Sequence, residues 1–250
     1  MSRPIVLLHG SPGAPASWKG VIKALGEDVE IIAPTLPDHG ASAPPQRRET
    51  QEMAAQIVAT LGPQPGGIVL AGHSYGGNVA LQIALSGALK VDALVLIEPV
   101  ALATLPALGE DAAYAEAKAI FDRYLERGHA RDPEAVGIMI DFWFGAGSFV
   151  RLPDAVRGFL RSQCEVNLRD VEATFRERHA REALAALAMS LTVAWGEKSP
   201  AVARLIAERL AATAQAGRAV MLEGADHGML ASHAPQVAAL IAQTASRAAG

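Results

Sequence analysis

"LAGHSYGGNVAL", residues 70–81, sets an apolar run directly before a Gly-x-Ser-x-Gly and then a helix-forming stretch. An apolar run without polar alternation predicts a strand buried on both faces. Gly72, Gly76 and Gly77 remove side chains from a turn too tight to hold them, which leaves the Ser74 hydroxyl raised at the strand's end. A helix beginning at about Tyr75 brings backbone N–H groups and the positive end of its dipole beside that hydroxyl, an arrangement that favours an oxyanion. A serine before a helix can also be a plain N-cap. The motif gains its weight from standing after a strand and before a helix, as its mechanics require.

Outward from this stretch the same alternation repeats. Short apolar runs at 5–8, 29–33, 68–71, 93–97, 191–195 and 219–222 read as buried strands. Between them Trp18, Val21, Ile22 and Leu25 fall at i, i+3, i+4, i+7, as do Ala54, Ile57, Val58 and Leu61, and near the end Val237, Leu240, Ile241 and Thr244. These are one-sided helices laid on a sheet. Strand and helix in alternation predict right-handed crossovers and an α/β fold, a doubly wound and mostly parallel sheet with helices on both faces. From Pro99 to about Met189 no strand pattern occurs, and four helical patterns do: "DAAYAEAKAIFDRYLERG", "DPEAVGIMIDFWFGAGSF", "LPDAVRGFLRSQCEVNLRDVEATF" and "REALAALAM". The expected organisation is a core of 1–98 and 190–250, with 99–189 inserted as a helical lid.

Composition limits the function classes. The chain has 250 residues, half of them apolar, and a net charge of −4, which suggests neither disorder nor a nucleic-acid footprint. Cys164 is the only cysteine, so no internal disulfide forms and a reducing compartment is expected. No apolar run approaches the ~18 residues of a membrane span, and no charged leader with a cleavage site precedes "PIVLLHG". These features predict a cytoplasmic protein, monomer or homodimer, acting on a small molecule without membrane or nucleic-acid partners. Neither metal-ligand spacing nor a Gly-x-Gly-x-x-Gly is present, so no metal or cofactor is expected.

In order along the chain, "VLLHGSPG", "PTLPDHGAS", "LAGHSYGG", "VLIEP", "AWGEKSP" and "GADHGML" resemble the α/β-hydrolase fold superfamily. The resemblance covers nearly all the core; the inserted segment is not diagnostic. Because "LLHG" comes so early, it implies a shortened sheet of about six strands. A serine hydroxyl is a weak nucleophile and needs a base. His227, in "EGADHGML" after a strand and last in the fold's order of serine, acid and histidine, is the candidate. His9 and His73 lie within motifs and are expected to support the backbone, whereas His39 belongs to a glycine turn. The resemblance also implies an oxyanion hole made from the N–H of Tyr75 and one from the loop after the first strand. Pro12 has no N–H, so Ser11 is the second candidate donor. Ser11→Ala is expected to be mild, because a backbone donor survives a side-chain change.

The acid departs from the common pattern. Where many relatives carry aspartate after the penultimate strand, this chain has Ser199. Glu98, closing "LVLIEP" one strand earlier, stands where some members keep their acid instead. Glu197, a lid carboxylate or no acid at all remain alternatives, and Glu98 could be a structural carboxylate. Asp226 is too near His227 to fold back onto its ring.

In the inserted segment Met139, Phe142 and Trp143 share a helical face and are candidates for substrate binding, with plain packing as the alternative. An apolar pocket over Ser74 would prefer an acyl or ring-bearing substrate to a sugar or a charged peptide. The expected activity is a serine hydrolase, esterase-like, acting on an ester-like bond. Alternatives are a receptor-type binding protein without turnover, or a carbon–carbon bond hydrolase, lyase or acyltransferase using the same groups. Serine in place of aspartate at 74 argues against dehalogenase or epoxide-hydrolase chemistry, which the resembling families perform through a carboxylate.

Overall fold

The computed structural model of the chain describes residues 3–40 and 48–248. The last two residues of the "PTLPDHGAS" motif, Ala41 and Ser42, lie outside the described residues. Six strands, β1 (Ile5–Leu8), β2 (Ile31–Ile32), β3 (Ile68–His73), β4 (Val91–Ile97), β5 (Ser190–Gly196) and β6 (Gly217–Leu222), pair in parallel in the order β2-β1-β3-β4-β5-β6. The helices before the inserted segment are α1 (Lys19–Leu25), α2 (Thr50–Leu61) and α3 (Tyr75–Ser86). Between β4 and β5 come α4 (Asp111–His129), α5 (Val136–Phe144), α6 (Ser148–Arg151), α7 (Asp154–Ser162), α8 (Cys164–Arg176) and α9 (Arg181–Ala185). The chain closes with α10 (Ala201–Thr213), α11 (Met229–Ser232) and α12 (Ala234–Arg247).

The two-residue period of a strand divides each apolar run between two cores. Val6 and Leu8 of β1, Ile68 and Leu70 of β3, and Leu94 and Leu96 of β4 join α2, α3 and α10 on one face. Ile5, Leu7, Val69, Ala71, Val95 and Ile97 join α1 and α12 on the other. The inserted helices share the first core, to which Phe121, Trp143, Phe149 and Leu168 belong. Each such apolar side chain withdrawn from water contributes on the order of 1.5–3 kcal/mol.

The structure departs from the sequence pattern in four places. β6 is an edge strand with Met221 exposed, so its apolar run does not mean cover on both faces. The run at 29–33 yields only two paired residues. The third helical pattern divides at Gln163 into α7 and α8, and the second ends in Gly145 and Gly147, both at positive φ, before α6. Among the described residues no helix is long and apolar enough to cross a membrane.

Candidate active site

Parallel strands deliver their carboxyl ends to one edge of the sheet, where loops meet over a rigid base. Here the loop after β1 brings Ser11, β3 brings Ser74, β4 brings Glu98, β5 brings Ser199 and β6 brings His227. Ser74 has φ 55° and ψ −125°, a backbone state that L residues rarely adopt. Its neighbours permit it: a Cβ on Gly76 would lie 2.3 Å from the His9 carbonyl oxygen, and one on Gly72 would lie 2.2 Å from that of Gly76. Glycine is therefore required at both positions, and the turn is packed backbone against backbone. Glu98 also leaves its strand at positive φ, 44°. Two strained non-glycine residues at adjacent strand ends store conformational energy at this edge.

The side chains meet there. Ser74 Oγ lies 3.1 Å from His227 Nε2, and His227 Nδ1 lies 2.9 Å from Glu98 Oε1. A fully buried carboxylate accepts, so Nδ1–H donates to Glu98 and Nε2 is left to accept from the Ser74 hydroxyl. Burial alone would push the Glu98 carboxyl up; hydrogen bonds from His227, Ser199 and the Gly196 N–H outweigh it and hold the group below the ordinary glutamate range. Ser199 Oγ donates to Glu98 Oε2 at 2.7 Å and Gly196 N at 3.0 Å. Position 199 thus supports the carboxylate instead of supplying it.

The other acids lie elsewhere. Glu197 accepts from the Gly224 N–H, and Asp226 from the Gly228 N–H. Asp170, a carboxylate of the inserted helices, faces His39 and not His227. His9 and His73 hold backbone: the Leu36 N–H donates to His9 Nε2 at 3.0 Å, and His73 Nε2 donates to the His227 carbonyl at 3.0 Å. Burial lowers His9 to about 4, with the nearby His39 adding to the effect, and burial together with His227 lowers His73 to about 3. Both rings are neutral at physiological pH.

Ser11 and Tyr75 both line the space over Ser74. Tyr75 opens α3, so its N–H has no partner within the helix. Neither it nor the Ser11 N–H donates to another backbone group among the described residues. The β1 loop lies close, since a Cβ on Gly10 would meet the Ser74 Cβ at 2.9 Å.

A cavity of about 330 Å³ opens over Ser74 and His227, walled by Leu102, Phe121, Met139, Ile140, Trp143 and Phe175 among others. Trp143 stacks on the His227 imidazole with centroids 4.6 Å apart and planes 19° from parallel. Met139 and Trp143, one helical turn apart, both reach the cavity. Phe142 does not; a helix turns about 100° per residue, which directs this ring to an outer groove beside Pro200 and Val202, packed on Phe121. Ser199's bond to Glu98 and the Trp143 stack were not derivable from the sequence pattern. A hint existed for the first, since Ser199 stands at the position the resemblance reserves for an acid. Cys164, at the start of α8, is half-buried beside Tyr124, and burial pushes its thiol up. Among the described residues no group of three His, Cys, Asp or Glu side chains is placed to hold a metal ion.

The sequence profile of the alpha/beta hydrolase family matches residues 5–240. A soluble epoxide hydrolase of Corynebacterium sp. (strain C12) is 34% identical over 99 residues, 38% of this chain and 34% of that protein. A pimeloyl-[acyl-carrier protein] methyl ester esterase of Aromatoleum aromaticum is 40% identical over 98 residues, 39% of this chain and 38% of that one. The chain thus aligns with little more than a third of either relative's length. An esterase from Exiguobacterium antarcticum has a similar fold, with a TM-score of 0.74 at 19% identity over 98% of this chain and 92% of its own.

Proposed function

Since the chain belongs to the alpha/beta hydrolase family, we propose that it is a serine hydrolase cleaving an ester-like bond of a small, largely apolar molecule. The observation that carries this reading is the run of hydrogen bonds from Ser74 Oγ through His227 to Glu98, 3.1 Å and 2.9 Å long. In the proposed reaction His227 Nε2 takes the Ser74 proton as Oγ bonds to the carbonyl carbon, and the carbonyl electron pair moves to its oxygen. The N–H groups of Ser11 and Tyr75 receive that oxyanion. Its collapse expels the alcohol, which leaves with the proton from His227. Water then attacks the acyl-enzyme by the same steps, releasing the acid and restoring Ser74. Glu98 holds the imidazole in the required tautomer and balances its charge. The inserted helices act as the lid, with Met139 and Trp143 against the substrate; no cofactor takes part.

A serine-directed fluorophosphonate tests this reading. Rapid labelling at Ser74 that disappears in Ser74→Ala and His227→Ala, together with turnover of a short-chain aryl ester, is expected. Labelling without turnover of any ester would favour a receptor-type protein; absence of labelling would overturn the nucleophile itself.

A further inference from the structure

We propose that Asn167 of α8 is a positioning residue for the oxyanion hole, anchoring the Ser11 hydroxyl so that the Ser11 N–H stands at a fixed distance from the Tyr75 N–H. The inference rests on the reading of Ser74 as a nucleophile.

Asn167, Asp170 and Thr174 on α8, with Glu177 just past its end, recur at spacings of three, four and three residues, so they share one face. All four are buried, with at most 4% of their surface exposed, so this polar stripe faces protein and requires partners there. Its two halves grip different elements. In the first half, Asn167 Nδ2 donates to Ser11 Oγ at 3.1 Å, while Tyr124 Oη donates to Asn167 Oδ1 at 2.7 Å and so fixes which way the amide points. Asp170, next in the stripe, lies 3.3 Å from His39 Nε2. In the second half, Asn78 Nδ2, one turn into α3, donates to Glu177 Oε1 at 3.2 Å. Thr50 donates to the same carboxylate oxygen at 2.7 Å and accepts from Tyr75 Oη at 3.4 Å.

One buried helix therefore holds both the loop that carries the Ser11 N–H and the helix start that carries the Tyr75 N–H. The loop needs such a hold. Among the described residues, no N–H from Gly10 to Gly13 donates to another backbone group. His9 Nδ1 donates to the Gly10 carbonyl at 2.8 Å, and the Ser11 side chain adds the loop's hydrogen bond to the helices between β4 and β5; losing that bond frees the Ser11 N–H to drift even though the backbone donor survives. This replaces the expectation that Ser11→Ala is mild.

The test compares Ser11→Ala, Asn167→Ala and the double variant on a short-chain aryl ester. Each single change is expected to lower kcat about tenfold with KM within about twofold, less than the ~10²–10³ lost with a whole oxyanion donor. Binding of a trifluoromethyl ketone, which forms the tetrahedral adduct, should weaken by the same factor. The double variant should be no worse than either single one, because both break one tether. Ser11→Thr, which keeps the hydroxyl, should recover most of the loss. A Ser11→Ala kcat within twofold of wild type, a change confined to KM, or losses that multiply in the double variant would each overturn the proposal. A wild-type protein inert to fluorophosphonate would instead overturn the hydrolase reading on which it stands.

Discussion

Replacing Glu98 by glutamine keeps the shape of the side chain and removes both its charge and one acceptor. Glu98 Oε2 accepts from the Gly196 N–H and the Ser199 hydroxyl, while Oε1 accepts from His227 Nδ1. The Ser199 hydroxyl can rotate to accept, but the Gly196 N–H is fixed by the backbone of β5. The amide oxygen of glutamine is therefore drawn to Gly196, and its NH₂ is turned toward Nδ1. The ring must then carry its proton on Nε2, facing Ser74 with a donor where a base is needed. The lost charge adds to this: an imidazolium and a carboxylate with centres about 4 Å apart at an effective dielectric near 20 attract by about 4 kcal/mol. At about 1.4 kcal/mol per decade that is about 10³-fold in rate, and a wrong tautomer in another serine triad cost about 10⁴. Glu98→Gln is thus expected to lower kcat for an aryl ester by about 10³ to 10⁴ with KM little changed. Initial rates with active-site titration measure it. A kcat within twofold of wild type, with a collapse in Glu197→Gln instead, would refute the assignment of the acid.

The remaining predictions concern the groups around that carboxylate and the neutral histidines. Ser199→Ala removes one donor to Glu98, whose acidity depends on it. Because the folded carboxyl is held low, it stabilises the protein above its unfolded value, and that stabilisation is lost as pH falls through the folded value. Without Ser199 the folded value rises, so acid unfolding should begin at higher pH and kcat should fall several-fold; an unmoved acid transition with unchanged kcat would show that the hydroxyl is idle. His9, lowered to about 4 in the fold, binds fewer protons than its unfolded counterpart between about pH 6.5 and 4. Stability should accordingly fall as pH falls through that window, by about 2 kcal/mol from His9 alone between pH 7.5 and 5. Chemical denaturation at the two pH values checks this, and His9→Asn should flatten the slope; an identical pH dependence in both proteins would contradict it.

The sheet was legible in the sequence because a buried parallel strand is an apolar run with nothing polar to interrupt it, and β1, β3, β4 and β5 contain or equal the runs that announced them. Edge position carries no such signature, which is why the exposed flank of β6 was missed. Ser74 is legible through its glycines, since backbone crowding at Gly72 and Gly76 leaves no other residue possible. Glu98 was one option among several because the choice depends on which strand end faces His227, 129 residues away. The polar stripe of α8 was not legible at all. Asn167, Asp170 and Thr174 have the spacing of a helix face turned to water, and a periodic pattern is the same whether its polar side meets solvent or a buried serine. Phe142 and Trp143 are adjacent in the chain and end in different surroundings, because pattern alone does not fix a helix's rotation about its axis.

The Ser199 hydroxyl lies within 2.7 Å of a carboxylate that is entirely withdrawn from water. An aspartate introduced at that position would confront Glu98 as a second anion, and one of the two would be forced to keep a proton. The acid after β4 and an acid at position 199 are therefore alternatives in this fold: with both present, only one could carry the charge that faces His227.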